Sequence, residues 1–566
     1  MRYLTYLKNP SRATQIVFLV GICLVLFFAN LGQWDLWNPD EPKYAQVAKE
    51  MVSRGDWVLM HFNDQVYGDK PPLFFWLIAI SSYLWQGFSS FSVRFPSALF
   101  GTLTVLLTFL LGERLYSSRA GFFSALILAT SLHFAYLSTR ANIDATLTFF
   151  TTASLLCFYC WFQRKSPHLP PLPGGPAYGT DATSAERDGV RGDLIIYGFY
   201  VSMAFATLTK GPIGFILPLL VSLIYLFVQK DRKEVKRMKL VSGVALLLII
   251  VLAWYVPAVL SGGKTYVEEN LFKHTTQAYA KGWTHPRPIY YYLYSFPVAF
   301  LPWIFFLPSA IAYGCSQLMV EKRREFLFLL VWVVVIFAFF SLSKSKRTLY
   351  LLPLYPAASL IVGKFWDDFL SQPPGQFRRG WIVFPLYGMI GLCLMGGIAG
   401  PLVASIRFSS YLSYSLPVAF LLAGGGAAML ISCVLKKYRA VLLLLMGIMI
   451  GGYLYTFRVV FPLANSFMSA RFLSEEITSR IQPGEKLAVY RGLGTDDYNY
   501  HTGIVPILRF DSKEALLDFL SSRERVFCLL KYNDFSELIK MENRPMVQWI
   551  AQGRVRKDDV VLISNR

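Results

Sequence analysis

Again and again along this 566-residue chain, apolar residues run on for long enough to cross a bilayer, a span that takes a helix of about 20 residues. The composition follows from those runs. Hydrophobic residues make up 54% of the chain and charged residues 16%, where a soluble protein carries about 25% charged. Aromatic residues fill the gap, with 46 Phe, 32 Tyr and 13 Trp, and the mean hydropathy is +0.43. A disordered chain, a fibrous protein and an ordinary cytosolic globule are excluded. The expected class is an all-α polytopic membrane protein.

The first apolar run, Ile16 to Ala29, follows Arg2, Lys8 and Arg12 and has no small-residue cleavage pattern after it. It reads as a transmembrane helix with a cytoplasmic N-terminus rather than a removable signal. Further runs at about residues 95–111, 121–137, 145–162, 195–208, 212–228, 240–260, 291–312, 326–342, 349–363, 381–403, 414–435 and 440–462 bring the expected count to about 13. Pro71 to Gln86 is apolar but short, and reads as re-entrant or interfacial. With this count, Arg114/Arg119, Arg164/Lys165, Lys230 to Lys239, Lys322 to Arg324, Arg378/Arg379 and Lys436 to Arg439 all fall inside, and the C-terminus falls outside.

The net charge of +20 fits the same picture. From Leu463 onward, 15 Lys and Arg face 14 Asp and Glu, so +19 belongs to the membrane part and sits mainly in short loops. Nucleic acid is therefore not expected as a partner. Six of the seven cysteines lie in or beside apolar spans, and Cys528 alone in the polar C-terminal part has no partner for an internal disulfide.

The expected organisation is a transmembrane catalytic domain over 1–463 and a small α/β domain outside the membrane over 464–566. Within the first, 31–72 forms an outer loop whose Ala45, Val47, Ala48, Met51 and Val52 mark one face of a helix lying along the membrane surface. Residues 163–194, rich in Pro and Gly, read as a disordered inner loop, and 261–290 as another outer loop. In the C-terminal part, LAVYRG and RVFCLLKYN look like strands and SKEALLDFL like a helix.

Charge at the outer face is concentrated in a few clusters. In Trp37-Asn38-Pro39-Asp40-Glu41-Pro42-Lys43-Tyr44, two carboxylates stand between prolines just past a membrane helix. Asp40 can be a helix N-cap with proline following, or a base or cation-stabilising carboxylate. Asp69-Lys70-Pro71-Pro72 is either an interfacial anchor with a snorkelling lysine or a cation held for an anionic ligand. Ser343-Lys344-Ser345-Lys346-Arg347 puts three cations and no acid on the outer side, against the positive-inside bias. Either the span count is wrong there, or the loop is a phosphate site at the outer membrane surface, with Lys as point charge and Arg as fork. Lesser signals are Asp144, following Arg140, and Lys210 in Thr209-Lys210-Gly211-Pro212. Carboxylates beside several cations on one face suit a reaction on a lipid phosphate, with leaving-group charge offset by the cations.

In order along residues 35–360, these stretches resemble the bacterial 4-amino-4-deoxy-L-arabinose (aminoarabinose) lipid A transferases. These are GT-C glycosyltransferases related to the dolichyl-phosphate-mannose protein mannosyltransferases. The matches are Pro-Asp-Glu-Pro-Lys-Tyr, Asp-Lys-Pro-Pro-Leu, Thr-Lys-Gly-Pro, and Phe-Ser-Leu-Ser-Lys-Ser-Lys followed by Tyr350-Leu-Leu-Pro. The resemblance implies a GT-C fold with 13 spans, an outer cavity and a periplasmic C-terminal domain, in the bacterial inner membrane. It makes Asp40, with Glu41 beside it, the catalytic candidates. It gives Lys43, Lys70, Lys344, Lys346, Arg347 and Tyr350 to the donor phosphate and puts Asp144 and Lys210 in the substrate cavity. Asp69 with His274 stands where the family can hold a metal, although no cofactor is required. Asp69 replaces a glutamate, Lys43 an arginine, and Tyr279 falls where an arginine is expected.

The implied partners are an undecaprenyl-phosphate-linked sugar, lipid A or another envelope acceptor, and the bilayer, with the chain as a monomer. The implied reaction is inverting transfer of an aminoarabinose-like sugar. Two rivals are a polyprenyl-phosphate hexose or mannose transferase acting on protein or another glycan, and a lipid-linked sugar flippase. The flippase needs no carboxylate at the sugar and more often carries charge within broken helices at the midplane.

Overall fold

The computed structural model describes residues 11–164, 182–268, 285–321, 324–371, 378–542 and 545–566. They divide into two compact units that interleave along the sequence. One comprises 1–30, 69–74 and 96–455, the other 31–68, 75–95 and 456–566. The expected cut at 463/464 thus divides the chain differently, because residues 31–68 and 75–95 cluster with the C-terminal part.

The first unit is helical. Among the described residues, eight helices are long and apolar enough to cross a membrane, and ten spans result if each of two bent pairs is one crossing. The bent pairs are Ser118–Ala129 with Leu132–Ser138, at 71°, and Tyr291–Ala299 with Trp303–Leu318, at 120°. The shorter apolar helices are Arg12–Phe28, Leu73–Leu84, Leu194–Lys210 and Ile213–Val228. Each expected span coincides with one of these helices or pairs. The helix ending at Lys210 starts at Ala182, so the second part of the expected disordered loop over 163–194 is helical, and 165–181 lie outside the described residues.

Close helix approach in this unit depends on glycine. A Cβ on Gly112 would fall 2.5 Å from the Cα of Gly121, and one on Gly121 would fall 2.4 Å from the Phe109 carbonyl oxygen. The helices Ser90–Leu115 and Ser118–Ala129 therefore meet almost backbone to backbone, the small-residue packing that membrane helices favour.

The second unit holds the helix Glu41–Arg54, the short hairpin β1 (His61–Phe62) and β2 (Gln65–Val66), and a five-stranded sheet. The sheet strands are β3 (Lys486–Tyr490), β4 (Leu508–Phe510), β5 (Val526–Lys531), β6 (Gln548–Val555) and β7 (Asp558–Ser564). Their order is β4-β3-β5-β7-β6, parallel among β4, β3 and β5, with β7 antiparallel to β5 and β6. β5 is buried along Val526–Leu530 because apolar clusters cover both faces of the sheet. The strand and helix segments expected from the sequence coincide with β3, the helix Lys513–Leu520 and β5.

The helix Glu41–Arg54 departs from the surface helix expected. Ala45, Val47, Ala48 and Met51 are fully buried, and so are Gln46 and Glu50 on its polar side. Glu50 is satisfied inside the unit: it accepts from Gln46 Nε2 at 2.9 Å, from the Asn63 amide at 2.8 Å and from the Asp64 amide at 3.2 Å. Protein covers most of this helix, although Val52, the fifth residue of the expected face, is exposed.

Candidate functional site

The motif residues gather in two places, one in each unit. In the helical unit, Thr209-Lys210-Gly211-Pro212 ends the helix Ala182–Lys210. Gly211 takes φ 73° and its amide donates to the Thr207 carbonyl at 2.7 Å, the left-handed stop that glycine permits. Lys210 is thereby left on the last turn, where the helix dipole favours a cation. Its ammonium pairs with Asp144 at 2.5 Å and lies 4.4 Å from the centre of the Tyr350 ring.

Asp144 stands in the first turn of the helix Ile143–Arg164. Asn142 sets that turn, accepting from the Ala145 amide at 3.1 Å while its own amide donates to Ser97 Oγ at 3.1 Å. Both partners of the Lys210–Asp144 pair are nearly out of solvent, at 10% and 6% side-chain exposure. Lys70 and Arg347 act on Lys210 as like charges. Lys70 itself is paired with Asp69 at 2.5 Å. The named side chains thus set three cations against two carboxylates.

The loop 343–347 is fixed by its backbone. Ser345 forms an isolated antiparallel bridge with Pro286; the Lys346 amide donates to the His285 carbonyl at 3.0 Å and the Arg287 amide to the Lys344 carbonyl at 3.2 Å. Lys346, expected to hold phosphate, instead donates its ammonium to the carbonyls of Arg287, at 3.1 Å, and Ser343. That side chain straps the loop, and its burial pulls the ammonium below its ordinary pKa. Lys344 is exposed. The Tyr292 hydroxyl donates to the Arg347 carbonyl at 3.2 Å. His133, with its Nδ1 buried and without a hydrogen-bond partner, also feels the Arg347 charge. By sequence Tyr292 belongs to the run Tyr290-Tyr291-Tyr292, which reads as an ordinary interfacial belt, and no motif surrounds His133.

In the second unit, Asp40 occupies the N-cap position of the helix Glu41–Arg54, but its side chain makes no capping hydrogen bond. Its φ of 84° is a strained conformation for a residue with a side chain. Capping therefore does not account for this aspartate.

Glu41, expected to be catalytic beside Asp40, is 1% exposed and locked to Arg94, which is 0% exposed. Arg94 Nε donates to Oε1 at 2.7 Å and Nη2 to Oε2 at 3.0 Å. The remaining Arg94 donors reach the carbonyls of Leu31, Trp34 and Asp35, and the guanidinium lies 4.4 Å from the Trp34 ring. Such a carboxylate is screened from any substrate. Its partner could have been sought in the sequence, because an arginine entering an apolar span calls for a buried acid.

Lys43 lies over two aromatic rings, 5.4 Å from the centre of Phe62 and 4.9 Å from that of Tyr67. For a metal, Asp69 is engaged by Lys70, and His274 and Tyr279 lie outside the described residues. Among the described residues no three His, Cys, Asp or Glu side chains come together as a metal ion would need.

Comparison with known proteins bears on the fold. Residues 69–170 match the family model described as dolichyl-phosphate-mannose-protein mannosyltransferase. The chain is 31% identical over 376 residues to an undecaprenyl phosphate-alpha-4-amino-4-deoxy-L-arabinose arabinosyl transferase of Aeromonas hydrophila, covering 66% of this chain and 63% of that relative. It is 28% identical over 469 residues to an uncharacterised protein of Aquifex aeolicus, covering 82% of each. Among solved structures, ArnT from Cupriavidus metallidurans bound to undecaprenyl phosphate superposes with a TM-score of 0.75 at 21% identity, over 97% of this chain and 98% of that one. The archaeal oligosaccharyltransferase AglB of Archaeoglobus fulgidus gives 0.53 at 13% identity, over 92% and 70%. The fold is thus that of a polytopic GT-C membrane protein with a small sheet domain.

Proposed function

We propose that this chain, an aminoarabinose-transferase-like membrane protein of the GT-C class, moves a sugar from undecaprenyl phosphate to lipid A or a related envelope acceptor. The observation that carries the reading is that Lys70 and Arg347 act as like charges on Lys210, which lies against Tyr350 in a mainly apolar unit. Asp144 and Asp69 pair with two of these cations, and a cluster of Lys and Arg is the side-chain chemistry that takes up a lipid phosphate. The aminoarabinose name of the Aeromonas relative points to an aminoarabinose-like sugar, and the bound lipid named for the Cupriavidus protein points to undecaprenyl phosphate.

In the proposed step an acceptor oxygen attacks the anomeric carbon from the face opposite the phosphate. The bond from that carbon to the phosphate oxygen breaks, and its electron pair leaves on the polyprenyl phosphate, whose charge Lys70, Lys210 and Arg347 offset. Asp40 takes the acceptor proton, or steadies the positive anomeric carbon where the acceptor is already an anion. The configuration inverts because there is one displacement. Asp69 orients Lys70, and Glu41 positions the start of the Asp40 helix through Arg94. The mannosyltransferase family model over 69–170 keeps a hexose as the second reading of the donor.

The distribution of basic loops supports a cytoplasmic N-terminus, with the reaction and the 464–566 part on the periplasmic side of the inner membrane. The test is mass spectrometry of lipid A from cells with the protein, without it, and with Asp40→Asn. General-base assistance contributes roughly 10²–10⁴-fold, so Asp40→Asn should nearly erase a sugar-sized mass that the intact protein adds. Lipid A identical in all three strains removes lipid A as the acceptor. Full modification by a well-expressed Asp40→Asn protein removes Asp40 from the chemistry.

A further inference from the structure

The strained Asp40 is held from both sides by residues of its own unit. On the C-terminal side, Glu41 is anchored by Arg94. On the N-terminal side, the Asn38 side-chain amide donates to Asp497 Oδ1 at 2.7 Å, and the other oxygen of Asp497 accepts from Arg556 Nη2 at 3.0 Å. Asn38 and Asp497 are each 5% exposed. Asp497 begins no site of its own: it sits in the short helix Asp496–Thr502 that follows β3, while Arg556 lies in the turn between β6 and β7.

Neighbouring contacts run the same way. Asn465 Oδ1 accepts from the Asp35 amide at 3.1 Å and from Trp37 Nε1 at 2.9 Å. Asn63 Oδ1 accepts from Asn499 Nδ2 and from the Ile507 amide, while Asn63 Nδ2 donates to the Ile507 carbonyl. Each of these joins the first outer loop to the C-terminal part.

We propose that Asp497, oriented by Arg556, is a positioning residue for Asp40, and that the C-terminal sheet domain serves the transfer reaction by setting the Trp37–Asp40 loop. The chain of cause is short. Asn38 is tied to Asp497, proline fixes φ at residue 39, and Asp40 follows at a backbone angle that persists only where its surroundings over-determine it. Releasing Asn38 frees Asp40 to relax, and a displacement of about 1 Å at a reacting group is worth about 10²-fold in rate.

This inference rests on the proposed role of Asp40, so its test has one arm that needs no activity. The full-length protein in detergent is compared with Asp497→Asn and Asn38→Ala. The Asp497→Asn change keeps the volume but turns one acceptor into a donor facing a donor. Hydrogen exchange at residues 37–43 should quicken about 10-fold or more in both variants while the sheet amides of β5 and β7 stay protected. With undecaprenyl-phosphate sugar as donor and lipid A as acceptor, kcat should fall about 10- to 100-fold with KM for the donor nearly constant. The swapped pair Asn38→Asp with Asp497→Asn, which rebuilds the 38–497 hydrogen bond, should recover part of kcat. Unchanged exchange at 37–43 overturns the inference, as does unchanged kcat in both variants. Wild-type protein that transfers nothing, beside variants whose loop exchange quickens, sinks the catalytic reading alone and leaves the clamp standing.

Discussion

Replacing Glu41 by glutamine decides whether that carboxylate reacts or holds. Arg94 and Glu41 are 0% and 1% exposed and share hydrogen bonds of 2.7 and 3.0 Å. Arg94 spends its other donors on three carbonyls, at 2.6 to 3.1 Å, so no water replaces a lost acceptor. Glutamine keeps the shape and one oxygen, removes the charge and turns an N–H toward the guanidinium. Removing one member of a buried ion pair costs about 3–5 kcal/mol, because the other charge stays buried. Hydrogen bonds to charged groups contribute about 1.5–3 kcal/mol each, and two of them give the same range. At about 1.4 kcal/mol per decade, this is between about two and three and a half decades in the folding equilibrium of the unit. The assay is thermal unfolding of the full-length protein in detergent, followed by tryptophan fluorescence, since Trp34 stacks on Arg94. Glu41→Gln should melt well below wild type. The double change Glu41→Gln with Arg94→Gln, which leaves no unpaired charge, should be milder than the sum of the two single changes. A Glu41→Gln protein that melts with wild type but transfers no sugar refutes the reasoning and returns Glu41 to the chemistry.

Asp144→Asn should leave Lys210 beside Lys70 and Arg347 without its carboxylate. Added undecaprenyl phosphate should then raise the melting midpoint more than it does in wild type, since the lipid restores the missing negative charge; an equal shift removes Lys210 from the phosphate site. Gly121→Ala should destabilise by about 1–3 kcal/mol or more through forced helix separation, because its Cβ meets backbone at 2.4 and 2.8 Å; a wild-type melting midpoint contradicts that packing. Burial, with Asp496 beside it, pushes Asp497 up to about 6 against the pull of Arg556 and Asn38. Since the folded pKa exceeds the unfolded one, the stability this group adds is present below about pH 4 and is lost as pH rises through about 6. The melting midpoint of wild type relative to Asp497→Asn should fall across that window, and parallel curves refute it.

The helical frame is legible because lipid leaves the sequence little freedom: each expected span coincides with a helix or a bent pair, although among the described residues eight to ten, not 13, are long and apolar enough to cross a membrane. The C-terminal strands were legible for a similar reason: β5 lies beneath two apolar layers and reads as an unbroken apolar run. The motif residues were legible as a set, but their assignments were not. Lys346 and Arg347 are neighbours in the sequence, yet one ammonium ties a loop to carbonyls of residues 287 and 343 while the other cation acts on Lys210 as a like charge. Which way each points depends on a backbone bridge to Pro286 that no local pattern announces. The helix Glu41–Arg54 was misread as a surface helix because periodicity treats Gln46 and Glu50 as solvated. Their burial is paid by the hairpin, whose Asn63 and Asp64 amides reach Glu50.

Asp40 shows the same limit most sharply. Its sequence context, between two prolines and ahead of an amphipathic stretch, suits a helix cap as well as a catalytic acid. The distinction lies in a backbone angle of 84° and an uncapped helix start, and those depend on ties to distant positions. Arg94 lies 53 residues from Glu41, and Asp497 lies 459 residues from Asn38. A strained residue relaxes unless both flanks are fixed. Once the flanks are held, the backbone angle at Asp40 is held with them, and its carboxylate does not serve as the helix cap. On this argument Glu41 and Asp497 belong to the function of Asp40 without touching the substrate.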